Sequence, residues 1–394
     1  MTARDTEMAI ADQTPTTTTG VLHATRALAP AIAERAAEVE AARRLPLDLL
    51  DRLIDAGCFR LLRPGSHGGI GGDLPAALRV FETLARADAS TGWTVMIGAS
   101  AWVDLAGLPR ATFDQLFPRD RDVIVAGAID PSGQISPAGD GYRVTGRWAF
   151  ASGCQHADWL WGDCIDATDS DAPRLRGAVF APHQVEIEDT WTVSGLAGTG
   201  SHHFHVTDVH LPADMTFAVD TGEPCLDEAI VRIPVPALLS VQVASVAIGT
   251  AQGALDDMLA LATDKVPLLD PAPLATNTLF HLDLATADTE LRAARALLDE
   301  TAGSMWATAA AGRPFALEDR ARIRATAAWA TDRAAAVAGT AYRSGGGTAV
   351  YADCPLQRRL RDIHAVTQHF LVKRDTLTTA GAVLAGQDIH APVF

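Results

Sequence analysis

The chain has 394 residues, 48% hydrophobic and 20% charged, with a formal net charge of −16 and only 32 lysines and arginines. So much apolar material implies a large folded core, and an acid excess without a basic stripe argues against nucleic acid or an anionic membrane as partner. The five cysteines (Cys58, Cys154, Cys164, Cys225 and Cys354) form no C-x-x-C pair, so neither a disulfide framework nor a zinc ribbon is indicated, and reduced thiols in the cytoplasm are expected.

Residues 1–20 are polar and Thr-rich, lack the basic start and apolar centre of a signal peptide, and read as a disordered tail. Residues 21–118 read as a helical domain. Leu45, Leu49, Leu50, Leu53 and Ile54 recur at helical spacing and stop at Gly57. A glycine-rich loop through Gly72 follows. A second helix then runs through Leu74, Leu78, Phe81 and Leu84, with Pro75 in its first turn. A third, from Ser90 to Leu108, is apolar nearly all round, the mark of a buried helix.

The period changes in residues 119–230. Ala138-Gly139-Asp140-Gly141 is a turn with strand-like flanks, Tyr142 to Ala151 alternates, and a further strand ends near Leu211-Pro212. Residues 231–394 return to helix, with four predicted at 234–263, 274–312, 317–344 and 355–386 as a four-helix bundle. No apolar run is read as a membrane span. Helices, then strands, then a bundle make an α+β fold that is mostly α.

Three ordered segments resemble the acyl-CoA dehydrogenase superfamily. They are Leu45-Pro46 through the Gly68-Gly69 pair, Asp140-Gly141-Tyr142 through Phe150-Ala151-Ser152-Gly153, and Pro355 through Arg361-Asp362 after the Gly345–Gly347 loop. The resemblance implies a flavin wedged between strands and bundle, and usually a homotetramer. It departs from the dehydrogenases at the glutamate base, whose two places fall on Phe370 and on Leu238 and Leu239. Ala87 to Trp93, Phe150 to Cys154 and Trp191 to Ser201 are instead similar to the two-component flavin-dependent monooxygenases. That branch takes reduced flavin (FADH2 or FMNH2) from a separate NAD(P)H-flavin reductase. With O2 as co-substrate it forms a C4a-hydroperoxide and hydroxylates a small molecule, here expected to be aromatic, phenolic or indolic. Oxygenation at nitrogen or sulfur is the runner-up. An acyl-CoA dehydrogenase or oxidase using Asp256 or Asp257, and a non-enzymatic binding module, are the rivals.

Candidate residues follow. Ser152 has a hydroxyl that both donates and accepts, suited to the flavin N5 position. Trp148 and Phe150 are expected on its face of an extended strand, against the ring. Thr199 and Ser201 form a polar corner for flavin or phosphate. Gly345, Gly346 and Gly347 offer close backbone approach, although a helix terminator is the plainer reading. His369 is the candidate acid/base. Trp93, Met96, Ile97 and Phe370 are expected to wall the substrate cavity, with core packing as the alternative. Many relatives carry a histidine near position 100, where this chain has Ser100. His203 and His205 share a strand face, but no further ligand stands at a supporting spacing, so no metal is assigned.

Overall fold

The computed structural model describes residues 14–166, 168, 174–219 and 222–389. Most of the expected tail thus lies outside the described residues, and helix α1 (Thr18–Glu34) begins inside its last part, capped by Thr17. Two short helices, α2 (Ala36–Ala42) and α3 (Leu47–Asp55), lead to α4 (Leu74–Ala87). Asp73 caps α4 by accepting from the Ala76 N–H at 2.7 Å, and Pro75 sits in the first turn, where no N–H is missed. The expected third helix divides into α5 (Ala89–Ser100) and the single turn α6 (Trp102–Leu105), followed by α7 (Arg110–Leu116). Every residue of α5 is buried except Ile97, which is half-buried.

The central unit is one seven-stranded sheet ordered β5-β6-β2-β1-β3-β4-β7. Its strands are β1 (Val125–Ala138), β2 (Gly141–Ala151), β3 (Trp159–Asp166), β4 (Arg174–Phe180), β5 (Glu186–Glu188), β6 (His202–Pro212) and β7 (Thr216–Ala218). β1 pairs antiparallel with β2 through the expected turn, and parallel with β3. The pairing of β2 with β6 slips between Trp148 and Ala151. That bulge falls on Phe150, which takes a left-handed φ of 64°.

The bundle is formed by α8 (Val235–Asp264), α9 (Thr278–Ala310), α10 (Leu317–Gly345) and α11 (Pro355–Val366). α8 is the strut against which α4, α5, α10 and α11 pack. It is long and apolar enough by composition to cross a membrane, contrary to the expectation that no run reaches that length. With 89% of its apolar window buried, it is a core helix here. The fourth predicted helix is also corrected. It ends at Val366, and a run of turns separates it from α12 (Thr376–Leu384). His369 and Phe370 therefore stand on turns between helices.

Candidate active site

The expectation that Trp148, Phe150 and Ser152 share one face fails at the bulge. Trp148 is fully buried inside the β-domain, stacked on Phe204 with centroids 4.9 Å apart and donating its indole N–H to the Asp163 carbonyl at 2.8 Å. Gly133, Gly146 and Gly162 surround it so closely that a Cβ on any of them would come within 2.4–2.6 Å of the indole. Trp148 is a core residue and not a cofactor contact. Phe150 is turned outward by its positive φ and is 68% exposed, edge-on to Trp191 and near His203. Ser152 lies beyond the strand end, in a turn closed by its N–H donating to the Phe150 carbonyl. Its side chain is buried at the junction of sheet and helices.

Four sequence-distant groups meet there. The Trp93 indole N–H on α5 donates to Ser152 Oγ at 3.0 Å. Ser152 Oγ lies 2.7 Å from Ser201 Oγ, which lies 2.7 Å from Thr199 Oγ1. Thr199 donates to the Leu196 carbonyl at 2.8 Å. The Trp93 ring also meets the His369 ring, with centroids 5.5 Å apart and planes at 67°. α5 is aimed by its cap: Asp88 Oδ2 accepts from both the N–H and the hydroxyl of Thr91 at 2.7 Å.

His369 Nδ1 faces the Leu371 N–H at 3.4 Å, which leaves Nε2 to carry the proton of the neutral ring. Burial, with the Arg324 guanidinium adding to it, pushes the imidazole pKa down to about 4. At neutral pH the ring is uncharged and a hydrogen-bond donor, a narrower role than the acid/base one expected. Phe370 is half-exposed beside it, with centroids 5.0 Å apart. Of the expected cavity wall, Trp93 and Ile97 keep some exposure, whereas Met96 is fully buried and belongs to the core.

Two contributors were not singled out from the sequence. Asp362 on α11 is buried and accepts the Leu196 N–H at 2.7 Å. It thereby holds a residue whose φ is 54°, a strained value for leucine. Burial first, and the Asp88 charge second, push its carboxyl up to about 7. Gln242 on α8 donates to Ser100 Oγ at 2.9 Å, and its Oε1 is buried with no hydrogen-bond partner among the described residues. A glutamine inside so apolar a helix was a readable signal. The anchoring of Leu196 was not readable, because it depends on a backbone conformation.

Other candidates lie apart. Gly345 packs on Leu356 and near Leu261, and Gly346 takes φ 52° and ψ −143°, a region open only to glycine. Lys265 donates to the Gly345 carbonyl and to Thr348 Oγ1, both at 2.6 Å. Ala85 sits against both Gly92 and Gly249, so Leu261 lies twelve residues along α8 from the level of Trp93, about 18 Å. The glycine loop and the Ser152 cluster of one chain are therefore separate. Asp256 and Asp257, the rival bases, are engaged with Arg86 and Arg359. His205 pairs with Glu188 and Glu186.

The groups fit a flavin ring. Phe150 and Trp191 give a partly exposed aromatic surface, and two residues from Phe150 the Ser152 hydroxyl stands ready for one ring heteroatom. Residues 21–107 match the acyl-CoA dehydrogenase N-terminal domain, and residues 241–374 match the acyl-CoA dehydrogenase C-terminal domain. An indole-3-acetate monooxygenase of Pseudomonas putida is 33% identical over 356 residues, 90% of each chain. The oxygenase subunit HsaA of a flavin-dependent monooxygenase, from Rhodococcus jostii (strain RHA1), is 30% identical over 354 residues, 87% of this chain and 92% of that one. A crystal structure of 3-HSA hydroxylase from Rhodococcus sp. RHA1 superposes with a TM-score of 0.89 at 28% identity, covering 95% of this chain and 99% of that one. The chain belongs to the flavin-dependent monooxygenases built on the acyl-CoA dehydrogenase fold. Within that class it stands with the oxygenase components.

Proposed function

We propose that this protein is the oxygenase of a two-component system: it receives FADH2 or FMNH2 from a separate NAD(P)H-flavin reductase and hydroxylates a small phenolic or indolic molecule with O2. The observation that carries the reading is the convergence of Ser152, Trp93 and His369 at a junction where the dehydrogenase base positions hold Phe370, Leu238 and Leu239. A bound reduced flavin supplies the two electrons that activate dioxygen. Ser152 holds one edge of the ring. His369, neutral at pH 7, offers its Nε2 proton to an oxygen atom of substrate or oxidant. Phe370 and Ile97 cover the reacting region with apolar surface and keep water out.

The aromatic class is supported by the geometry along α5. Ser100 follows Trp93 by two helical turns, about 10 Å, the length of a bicyclic ring with a short substituent. Beside Ser100 the free Gln242 Oε1 is a buried acceptor for a phenol O–H or an indole N–H. Copies of the chain assemble, as a tetramer in our reading. Leu279 and Leu282 on α9, and Val350 and Tyr351 beyond the glycine loop, are well exposed and apolar, and Gly345–Gly347 reaches a flavin only from another copy. All five cysteines are unpaired, which suits the cytoplasm.

Rapid mixing tests the reading. The protein is loaded anaerobically with reduced flavin and mixed with oxygenated buffer. A transient absorbance belonging to neither reduced nor oxidised flavin, far longer-lived than in free solution, is the expected result. Direct reoxidation without it would send the search to acyl-CoA substrates.

A further inference from the structure

Hydrogen-bond bookkeeping at the Ser152 cluster goes one step beyond the proposed activity, and it rests on the reading that Ser152 meets the flavin ring. Four contacts run in a row: Trp93 to Ser152 at 3.0 Å, Ser152 to Ser201 at 2.7 Å, Ser201 to Thr199 at 2.7 Å, and Thr199 to the Leu196 carbonyl at 2.8 Å. The row has four protons to give, one on the indole and one on each hydroxyl. Its two ends are fixed, because an indole N–H only donates and a carbonyl only accepts.

A single arrangement fills all four contacts. Thr199 must donate to Leu196, so it accepts from Ser201. Ser201 then accepts from Ser152, and Ser152 accepts from Trp93. Ser152, Ser201 and Thr199 are all buried, so a broken contact would not be replaced by bulk water. The far end is held by the Leu196 N–H on Asp362 and by a second donor on the same carbonyl, Trp191 Nε1 at 3.0 Å. Ser152 is left with no proton to offer and one lone pair.

We infer that Ser201 and Thr199 are positioning residues that make Ser152 an acceptor-only contact, and that this contact selects dihydroflavin over oxidised flavin. Reduced flavin carries hydrogen on the ring nitrogen N5 and can donate to that lone pair. Oxidised flavin presents a bare lone pair at N5, and two acceptors facing each other repel. A serine free to rotate would serve both states equally, so the preference lies in the row behind Ser152.

The test compares affinities of the full-length protein for the reduced and oxidised forms of FMN and FAD, measured by anaerobic titration, with the midpoint potential of bound flavin as a second readout. Wild type should bind the reduced form more tightly, which moves the bound potential positive of free flavin. Ser201→Ala removes the acceptor for the Ser152 proton, and Thr199→Val removes the acceptor for that of Ser201. Either variant lets Ser152 donate, and should cut the reduced-over-oxidised preference about tenfold, a shift of about 30 mV towards negative potential. Thr199→Ser should restore it. Trp93→Phe should keep the preference, because three donors then fill three contacts in the same order. Ratios unchanged within twofold in Ser201→Ala and Thr199→Val, in a protein where Ser152→Ala does weaken reduced flavin, would overturn the inference alone. If Ser152→Ala leaves both affinities unchanged, the flavin contact itself is wrong and the inference goes with it.

Discussion

Trp148 and Ser152 are four residues apart, yet they belong to different parts of the molecule. Around Trp148 the sheet is a solved packing problem: three glycines make room for one indole, Phe204 stacks on it, and its N–H is satisfied. Around Ser152 the packing is polar and made of parts from four places in the chain, with a row of hydroxyls whose order depends on distant anchors. The bulge at Phe150 separates the two regimes. One is built to keep the domain folded, the other to meet something that arrives.

This contrast is open to direct attack. The largest effect is expected from Trp148→Ala, which should cost about 3–5 kcal/mol of stability, since no neighbour can fill the space. Calorimetry would read it as a lower Tm, and an unchanged Tm would mean that the indole is not the core residue described. Ser152→Ala should do the reverse. Its Tm should stay near wild type, while product formed per flavin oxidised falls on the order of tenfold or more, the remainder appearing as hydrogen peroxide. Should that variant remain fully coupled, the junction is structural and the comparison collapses.

Asp362 sharpens the boundary between the two. Asp362→Ala leaves the Leu196 N–H buried without an acceptor, a cost of about 1–3 kcal/mol, and should loosen reduced flavin up to tenfold. Asp362→Asn retains an acceptor oxygen and should stay near wild type. Equal losses in the two variants would show that charge, and not the bond, is what matters. The smallest effect concerns pH. His369 is held near pKa 4 in the fold against about 6.5 unfolded. Below 6.5 the unfolded chain therefore takes up a proton that the folded chain refuses, and stability falls as pH drops from 6.5 towards 4, with no contribution above. Asp362, raised to about 7, acts with the opposite sign, because its folded form holds the proton. The His369 part is isolated by comparing wild type with His369→Phe. The wild-type Tm should fall more between pH 6.5 and 5, and parallel curves would refute the assignment.

Most of the architecture was legible because helical and strand periods differ and their order along the chain is unusual. The first three bundle helices were read to within a few residues, and the turn at Gly139 and the capping role of Pro75 carry their own chemistry. The misreadings share one cause. Alternation along β2 assigned Trp148, Phe150 and Ser152 to one face, and nothing in the residue types announces a bulge at a phenylalanine with positive φ. The stop at Val366 was missed likewise, since Thr367 and Gln368 are tolerable in helix and the break is set by tertiary contacts. Ser152, Ser201, Thr199 and Trp93 could be nominated one by one from their resemblance. Their linkage into one row appears only when α5, β2 and the loop before β6 are folded against one another.

That break after α11 has a consequence for how such an enzyme changes its diet. His369 and Phe370 sit on turns fastened to the bundle through backbone contacts, among them the Arg324 side chain donating to the Leu371 carbonyl at 3.4 Å. Their side chains are not rungs of a helical ladder. Insertions, deletions or swaps between Thr367 and Asp375 can reshape the wall of the reaction chamber while the four long helices keep their register. A breeder of new activities, natural or human, would begin there.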